Sequence, residues 1–308
     1  MTKKIDAWDK KILSEIEFNY NKSHQKVAHQ IKRSKAFVSY RIKKLEEEKI
    51  IQYRPLIDYS KLGQTYYRII IETLLSKEEL IKSINETIKV VWLVEKYDQE
   101  NFVIVLRAKD FGTFQKMWED LYEKIASNVL SKDISLAYKV YHFPMTFLHE
   151  HIRKEVYITG GSKKIDITNT EEKVLQTIQE NPSNTLKEQS EKLKINIQTL
   201  KKAIKNLEQK KVILAYQTLI NREALGLQHY KIFLSYRFSK QNKKTIIDLL
   251  KNNPYVIYVT ETSYHYDLEC ELYVPTPEVF EQTVAKLKTQ FDFSRIIISQ
   301  MKSEEKVA

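Results

Sequence analysis

The chain has 308 residues, 42% of them hydrophobic, with 51 Lys and Arg against 40 Asp and Glu for a net charge of +11. One cysteine, Cys270, excludes an intramolecular disulfide and a multi-thiolate metal centre, and no run of 18 apolar residues marks a membrane span. The charged start, Met1-Thr2-Lys3-Lys4, does not read as a signal peptide, so the expected location is cytoplasmic.

Taken in chain order, residues 8–18 predict a helix with Ile12, Leu13 and Ile16 on one face. A second, short helix starts near Ser23 and carries Val27, Ala28 and Ile31. Ser34 caps a third, along which Phe37 or Val38, Arg41, Ile42 and Leu45 recur at three- and four-residue spacing. Residues 49–57 alternate and break like a short hairpin, which completes the outline of a winged helix-turn-helix. The pattern then changes. Residues 66–75 predict a strand, 77–88 a helix, 90–96 and 102–107 two strands, 111–128 a helix and 134–141 a last strand. Phe114, Met117, Trp118, Leu121 and Ile125 face inward on the second of these helices. This β-α-β-β-α-β series is a ferredoxin-like sandwich, whose uncovered sheet face invites a second sheet. Residues 143–164 contain Pro144, Gly160, Gly161 and Ser162 and read as a linker, in which 152–159 can add an edge strand.

The whole order then returns. Adding 162 to each number from Ile5 to Ile51 aligns the chain with itself without a gap, so that Leu13 meets Leu175, Ile16 meets Ile178 and Asn19 meets Asn181. Later offsets are slightly larger: Gly63 meets Gly226, and residues 90–95 meet 256–261. In the second copy Thr185 and Glu188 form a capping box, and Asn196 caps a helix with Leu200, Ile204 and Leu207 inward. Strands are expected at 230–238, 256–261, 267–274 and 295–301, with helices at 243–251 and 277–290. The expected class is α+β in five segments: headpieces at 1–62 and 165–225, ferredoxin-like parts at 63–142 and 226–308, and the linker at 143–164. Such a duplication builds a pseudo-two-fold pair into one polypeptide.

Charge follows this division. Residues 1–62 hold 15 Lys and Arg against 8 acids, and 162–225 hold 12 against 8; residues 63–150 hold 11 against 13, and 226–308 hold 11 against 10. The positive excess therefore lies in the headpieces, as in a binder of polyanions. Opposite the buried face of the third helix stand Lys35, Ser39, Tyr40, Lys43 and Lys44, and in the second copy Gln198, Thr199, Lys201, Lys202 and Lys205. Hydroxyls and amides near the helix start suit base edges, and lysines further along suit phosphates. In residues 267–271, Asp267, Glu269 and Glu271 share one strand face and Cys270 takes the other, as core. Cross-strand pairing of these acids with Lys231 or Arg237 is expected, a cation site with His265 nearby being the alternative. The closest histidine pair, His149 and His151, lies in the linker.

Ile5-Asp6, Asp9, Ile12-Leu13, Val27-Ala28, Ser34, Arg41-Ile42-Lys43-Lys44-Leu45-Glu46, Ile50-Ile51 and Leu62-Gly63 together resemble the Lrp/AsnC family of transcription regulators, twice over nearly the whole chain. That family joins a winged helix-turn-helix to a ferredoxin-like effector and dimerisation domain, called RAM. The resemblance implies double-stranded DNA as partner, read by Ser34 to Lys44 in the first copy and Asn196 to Lys205 in the second, with Arg54 in the expected hairpin. It implies pairing of the two RAM-like parts within the chain, with a homo-oligomer also open. Members often sense an amino acid beside a glycine followed by Tyr-Asp. Here Tyr97-Asp98 and Tyr266-Asp267 stand at that place without the glycine, and an effector would meet these four residues. The effector itself is unassigned. No catalytic residue, metal, cofactor or membrane partner is expected, and the chain is expected not to be an enzyme.

Two other functions compete. One is a ligand-sensing or protein-binding adaptor, since Ala203 and Asn206 replace Arg41 and Lys44 in the second headpiece. The other is an enzyme similar to the siroheme decarboxylases, which use this same architecture. Their His-Asn-Tyr and Tyr-Asn-Xaa-Trp motifs are missing from the equivalent stretches, residues 95–105 and 261–271.

Overall fold

The computed structural model describes residues 5–99, 101–148, 155–236, 239–263 and 266–305. In chain order the elements are α1 (Ala7–Ile16), α2 (His24–Gln30), α3 (Lys35–Glu47), β1 (Ile51–Ile57), β2 (Thr65–Thr73), α4 (Lys77–Thr87), β3 (Trp92–Lys96), β4 (Phe102–Ala108), α5 (Phe111–Ile125) and β5 (Val129–His142). After β6 (Tyr157–Gly160) come α6 (Asn169–Glu180), α7 (Leu186–Leu193), α8 (Ile197–Gln209), β7 (Ile213–Ile220), β8 (Gln228–Tyr236), α9 (Lys240–Lys251), β9 (Val256–Ser263), β10 (Leu268–Val274), α10 (Pro277–Gln290) and β11 (Phe293–Glu305). Two compact units result, each assembled from separated stretches: residues 1–62 with 144–226, and 63–143 with 227–308.

In the first unit each headpiece is three helices started by local chemistry. Asp6 with Asp9 and Thr168 with Glu171 make reciprocal capping boxes at α1 and α6, satisfying amides that have no partner within the helix. Lys32, Lys49, Lys194 and Lys211 all adopt the left-handed conformation, φ 53–56°, at matching places in the two copies. Lysine accepts there a conformation that glycine adopts more readily. Ile12, Leu13, Ile16, Val27, Ala28, Val38, Ile42 and Leu45 form the first core, which Leu148, Ile220 and Ala224 complete from later in the chain.

The expected hairpin at 49–57 does not form. Residues 51–57 are a single strand, β1, paired antiparallel with β7 of the second copy. Ile51 faces Ile220, Ile57 faces Ile213, and Arg54 faces Gln217, its own counterpart in the repeat, so the pseudo-dyad passes between those two residues. A hairpin needs a turn to reverse the chain, and Pro55 leaves one backbone donor fewer for such a partner. The other copy offers an equivalent strand instead. Tyr20 packs against Tyr53 and Tyr216 at centroid distances of 4.8 and 5.5 Å. The hydroxyls of Tyr53 and Tyr216 donate to Glu46 and Glu208 at 2.6 and 2.7 Å. Burial, then those carboxylates, hold both phenols far above their usual range.

The second unit is a closed ring of eight strands in the order β2-β4-β3-β11-β8-β10-β9-β5, with β5 hydrogen-bonded back to β2. Residues 63–143 and 227–308 supply four each. The last strand of each half runs past its own sheet and onto the other half: β5 pairs with β2 through Ala137, then with β9 through His142. Likewise β11 pairs with β8 through Gln300 and with β3 through Glu305. For β11 this crossing carries the strand past the expected 295–301, whereas β5 exceeds 134–141 mainly at its start, where residues 129–133 pair with β2 of the same half. At each seam a glutamate meets a lysine of the other half, Glu95 with Lys302 at 2.6 Å and Glu261 with Lys139 at 3.7 Å. On the outer face of the first half's strands, Ile69, Ile71, Leu93 and Ile104 pack against Leu80 and Ile84 of α4 and Phe114, Trp118 and Leu121 of α5. Cys270 is fully buried on the helix-facing side of β10, where burial pushes its thiol well up.

Polar groups line part of the barrel interior. Arg68 on β2 binds Glu269 on β10; those strands are not neighbours, so the bond crosses the interior. Lys231 on β8 reaches Glu269 at 2.8 Å and Glu271 at 3.0 Å, and His229 Nε2 lies 3.2 Å from Glu271. Burial works against charge here, yet Arg68 and Lys231 hold the Glu269 carboxyl below its usual range, and Lys231 and His229 do the same for Glu271. The expected pairing of these acids with Lys231 is present; Arg237 and His265 lie outside the described residues. Apolar Ile70, Val94, Val103, Val105 and Met301 fill the other side of the interior.

Candidate nucleic-acid interface

The candidate surface is the outward face of α3 and of α8. Ser34 Oγ accepts from the Phe37 amide at 3.1 Å and Asn196 Oδ1 from the Thr199 amide at 2.7 Å, so both helices begin with a side-chain cap. Val38, Ile42 and Leu45 turn one face of α3 inward, and Leu200, Ala203 and Leu207 do so for α8. What remains outward on α3 is Lys35, Tyr40 (63% exposed) and Lys43, with Ser39 and Lys44 half-buried. Ser39 Oγ lies 2.8 Å from His24 Nδ1, which ties the helix face to the start of α2. Lys43 is 3.6 Å from Glu47, an exposed pair too weak to hold the lysine from a phosphate. On α8, Gln198, Thr199, Lys201, Lys202 and Lys205 are all exposed.

Arg54 is not placed with them. It sits half-buried on β1, its Nη2 donating to Gln217 at 3.1 Å, and serves the joint between copies. Arg41 is likewise occupied: Nη1 donates to Asp6 at 2.5 Å and Asp9 at 3.0 Å. Its replacement by Ala203 therefore removes an internal clamp rather than a basic surface group. The second headpiece rebuilds that clamp from another position, with Lys210 Nζ 2.8 Å from Glu171, the counterpart of Asp9.

The structure adds residues that helix-face reasoning passed over. An open groove of about 880 Å³ between α2 and α3 is lined by Gln25, Ala28, His29, Lys32, Arg33, Ser34 and Phe37. The Arg33 guanidinium stacks on Trp8 at 4.0 Å, and Trp8 meets Phe37 edge-on at 6.0 Å. The run Lys32-Arg33-Ser34-Lys35, just ahead of a helix N-terminus, was the available signal.

The Tyr-Asp pairs sit in turns, and their carboxylates serve the fold. Asp98 binds the Ser299 hydroxyl, and Asp267 Oδ2 accepts from the Tyr236 amide at 3.1 Å. Tyr97 is 64% exposed, whereas Tyr266 packs on Phe233 at 5.1 Å. Among the described residues, no three His, Cys, Asp or Glu side chains are grouped to hold a metal ion, and no helix is long and apolar enough to cross a membrane.

Residues 167–213 match the winged helix-turn-helix DNA-binding family. No protein of curated function matches the sequence. Among solved structures, the siroheme decarboxylase NirDL aligns over 98% of this chain and 93% of its own, at TM-score 0.63 and 14% identity. The same enzyme in complex with an iron-uroporphyrin III analogue aligns over 97% and 92%, at TM-score 0.61 and 14% identity. An L-Met complex of the transcriptional regulator NMB0573 from Neisseria meningitidis covers 45% of this chain and 91% of its own, at TM-score 0.41 and 20% identity. The expectation that the chain is not an enzyme is overturned by the first of these: a solved structure that aligns over 98% of the chain is an enzyme. At 14% identity the likeness is one of architecture, and what stands for this chain is a winged helix-turn-helix at 167–213 within a fold shared in full with NirDL.

Proposed function

We propose that the chain is a DNA-binding transcription regulator of Lrp/AsnC type, with two headpieces in one polypeptide acting as a built-in dimer. The observation that carries this reading is the pairing of β1 with β7 about the Arg54–Gln217 pseudo-dyad, between two capped helices that each keep a lysine-bearing face exposed. A two-fold pair of such helices suits two half-sites on one duplex. Lysines along both helices supply phosphate contacts, and counterion release then makes affinity fall with salt. About six such contacts lower it on the order of a thousandfold between 50 and 200 mM salt. The test is fluorescence anisotropy with duplex DNA across a salt series. Replacing Lys35, Lys43 and Lys44 together by glutamate should abolish binding, and unchanged affinity in that variant would sink the assignment of α3. A small-molecule effector and further oligomers belong to the same proposal, their identities open.

A second reading is supported by the end-to-end likeness to a siroheme decarboxylase: an enzyme acting on an iron tetrapyrrole. Titrating the chain into iron-uroporphyrin and following the Soret band tests it. A saturable spectral shift favours the enzyme, and an unchanged spectrum removes it.

A further inference from the structure

The two headpieces are an internal comparison in which the inward positions are kept and the outward ones are not. Inside, Val38 corresponds to Leu200, Ile42 to Ile204 and Leu45 to Leu207, apolar in every case. Outside, Lys35 becomes Ile197, Ala36 becomes Gln198, Ser39 becomes Lys201 and Tyr40 becomes Lys202, while Lys43 agrees with Lys205 and, near the helix end, Glu46 with Glu208. The groove ahead of the helix diverges too, with His29 and Arg33 answered by Glu191 and Ile195. Packing explains the first set. Nothing in packing asks for the second, because these outward positions on α3 and α8 are exposed or half-buried.

We infer that the chain reads a non-palindromic DNA site, its two half-sites different in sequence, and so binds in a single orientation. The inference rests on the DNA-binding reading above. Two equal headpieces related by a dyad demand an inverted repeat, whereas two unequal ones on the same dyad do not. The chemistry of each face sets what it takes. Ala36 and the exposed Tyr40 ring offer apolar contact to thymine methyl groups, with Ser39 held by His24 beside them. Lys201 and Lys202, which replace Ser39 and Tyr40, offer donors to guanine O6 and N7, and Gln198 a bidentate partner for adenine. The half-site under α3 is therefore thymine-bearing, and the one under α8 guanine-bearing.

The experiment is selection from random-sequence duplex DNA by the full chain, followed by affinity measurements on three duplexes. These are the selected site and the two palindromes made by mirroring each half. The selected site should bind at least about tenfold more tightly than either palindrome, the scale of one or more mismatched base pairs. A quadruple variant, Ile197→Lys, Gln198→Ala, Lys201→Ser and Lys202→Tyr, changes only exposed positions. It should shift preference to the palindrome of the thymine-bearing half, with an unchanged melting temperature. Enrichment of a true inverted repeat, equal binding of all three duplexes, or a variant with wild-type preference overturns the inference while leaving DNA binding intact. No enrichment and no salt-dependent binding of any duplex overturns the DNA-binding reading itself.

Discussion

The two halves of the barrel follow one backbone course with unlike linings. In the first, Arg68 on β2 stands beside Val105 on β4; in the second, Lys231 on β8 stands beside Glu271 on β10. Val103 and Glu269 correspond in the same way. Both carboxylates thus come from one half, and each half provides one of the two cations. Paired with itself, the first half would place two arginines in the interior with no acid at these positions, and the second would place four glutamates beside two lysines. An unbalanced buried charge is costly, so only the unlike pair closes without one. The difference teaches that partner choice is written into the interior, while the seams, Glu95–Lys302 and Glu261–Lys139, are alike and discriminate nothing.

Breaking that balance should give the largest effect. Arg68→Met leaves two carboxylates to one lysine and should cost about 3–5 kcal/mol, read as a fall in melting temperature. Adding Glu269→Met restores neutrality with Lys231 and Glu271 and should recover most of the loss. A double variant no more stable than the single one refutes the charge-balance account. The pH dependence sharpens the same point. Glu269 and Glu271 are depressed in the folded state, so their contribution is complete above the unfolded value near 4.3 and lost as pH falls through the lower folded values. Lys231, raised despite its burial by the two glutamates, contributes fully below its unfolded value near 10.4 and loses this as pH rises through the folded one. Melting temperature should therefore plateau between about pH 5 and 10, and the acid-side fall should shrink in Arg68→Met/Glu269→Met.

At the headpiece joint the effects are smaller. Gln217→Arg sets guanidinium against guanidinium across the pseudo-dyad and should cost about 1 kcal/mol, which adding Arg54→Gln should return. Unaltered stability in Gln217→Arg would show that the two side chains do not meet in solution. Ser34→Ala and Asn196→Ala each remove one helix cap, at about 1 kcal/mol, and comparing the two losses by thermal melting shows whether the headpieces are equally dependent on their caps.

Features that depend on neighbours a few residues away were legible in the chain: the capping pairs, the inward stripes of α3, α5 and α8, and the burial of Cys270. The meeting of Lys231 with Glu271, 40 positions apart, was legible for another reason, the strict alternation that puts the acids of β10 on one strand face. Arg41 was misjudged because its use is decided by Asp6 and Asp9, more than thirty residues earlier. The place of Arg54 at the joint was not legible, because the residue opposite it lies 163 positions away. Arg68 drew no notice at all. It sits in an ordinary strand, and its meaning depends on Glu269, 201 positions further on.

The amino-acid order by itself determined most of the helices and strands, the order in which they recur, and the positive excess in residues 1–62 and 162–225, because these follow from spacing and composition over short stretches. Only the tertiary structure decided that β1 would pair with β7 instead of folding back, and that β5 and β11 would cross to the opposite half. Those choices turn on which backbone groups find partners after the copies meet, and residues far apart in sequence carry no local trace of it.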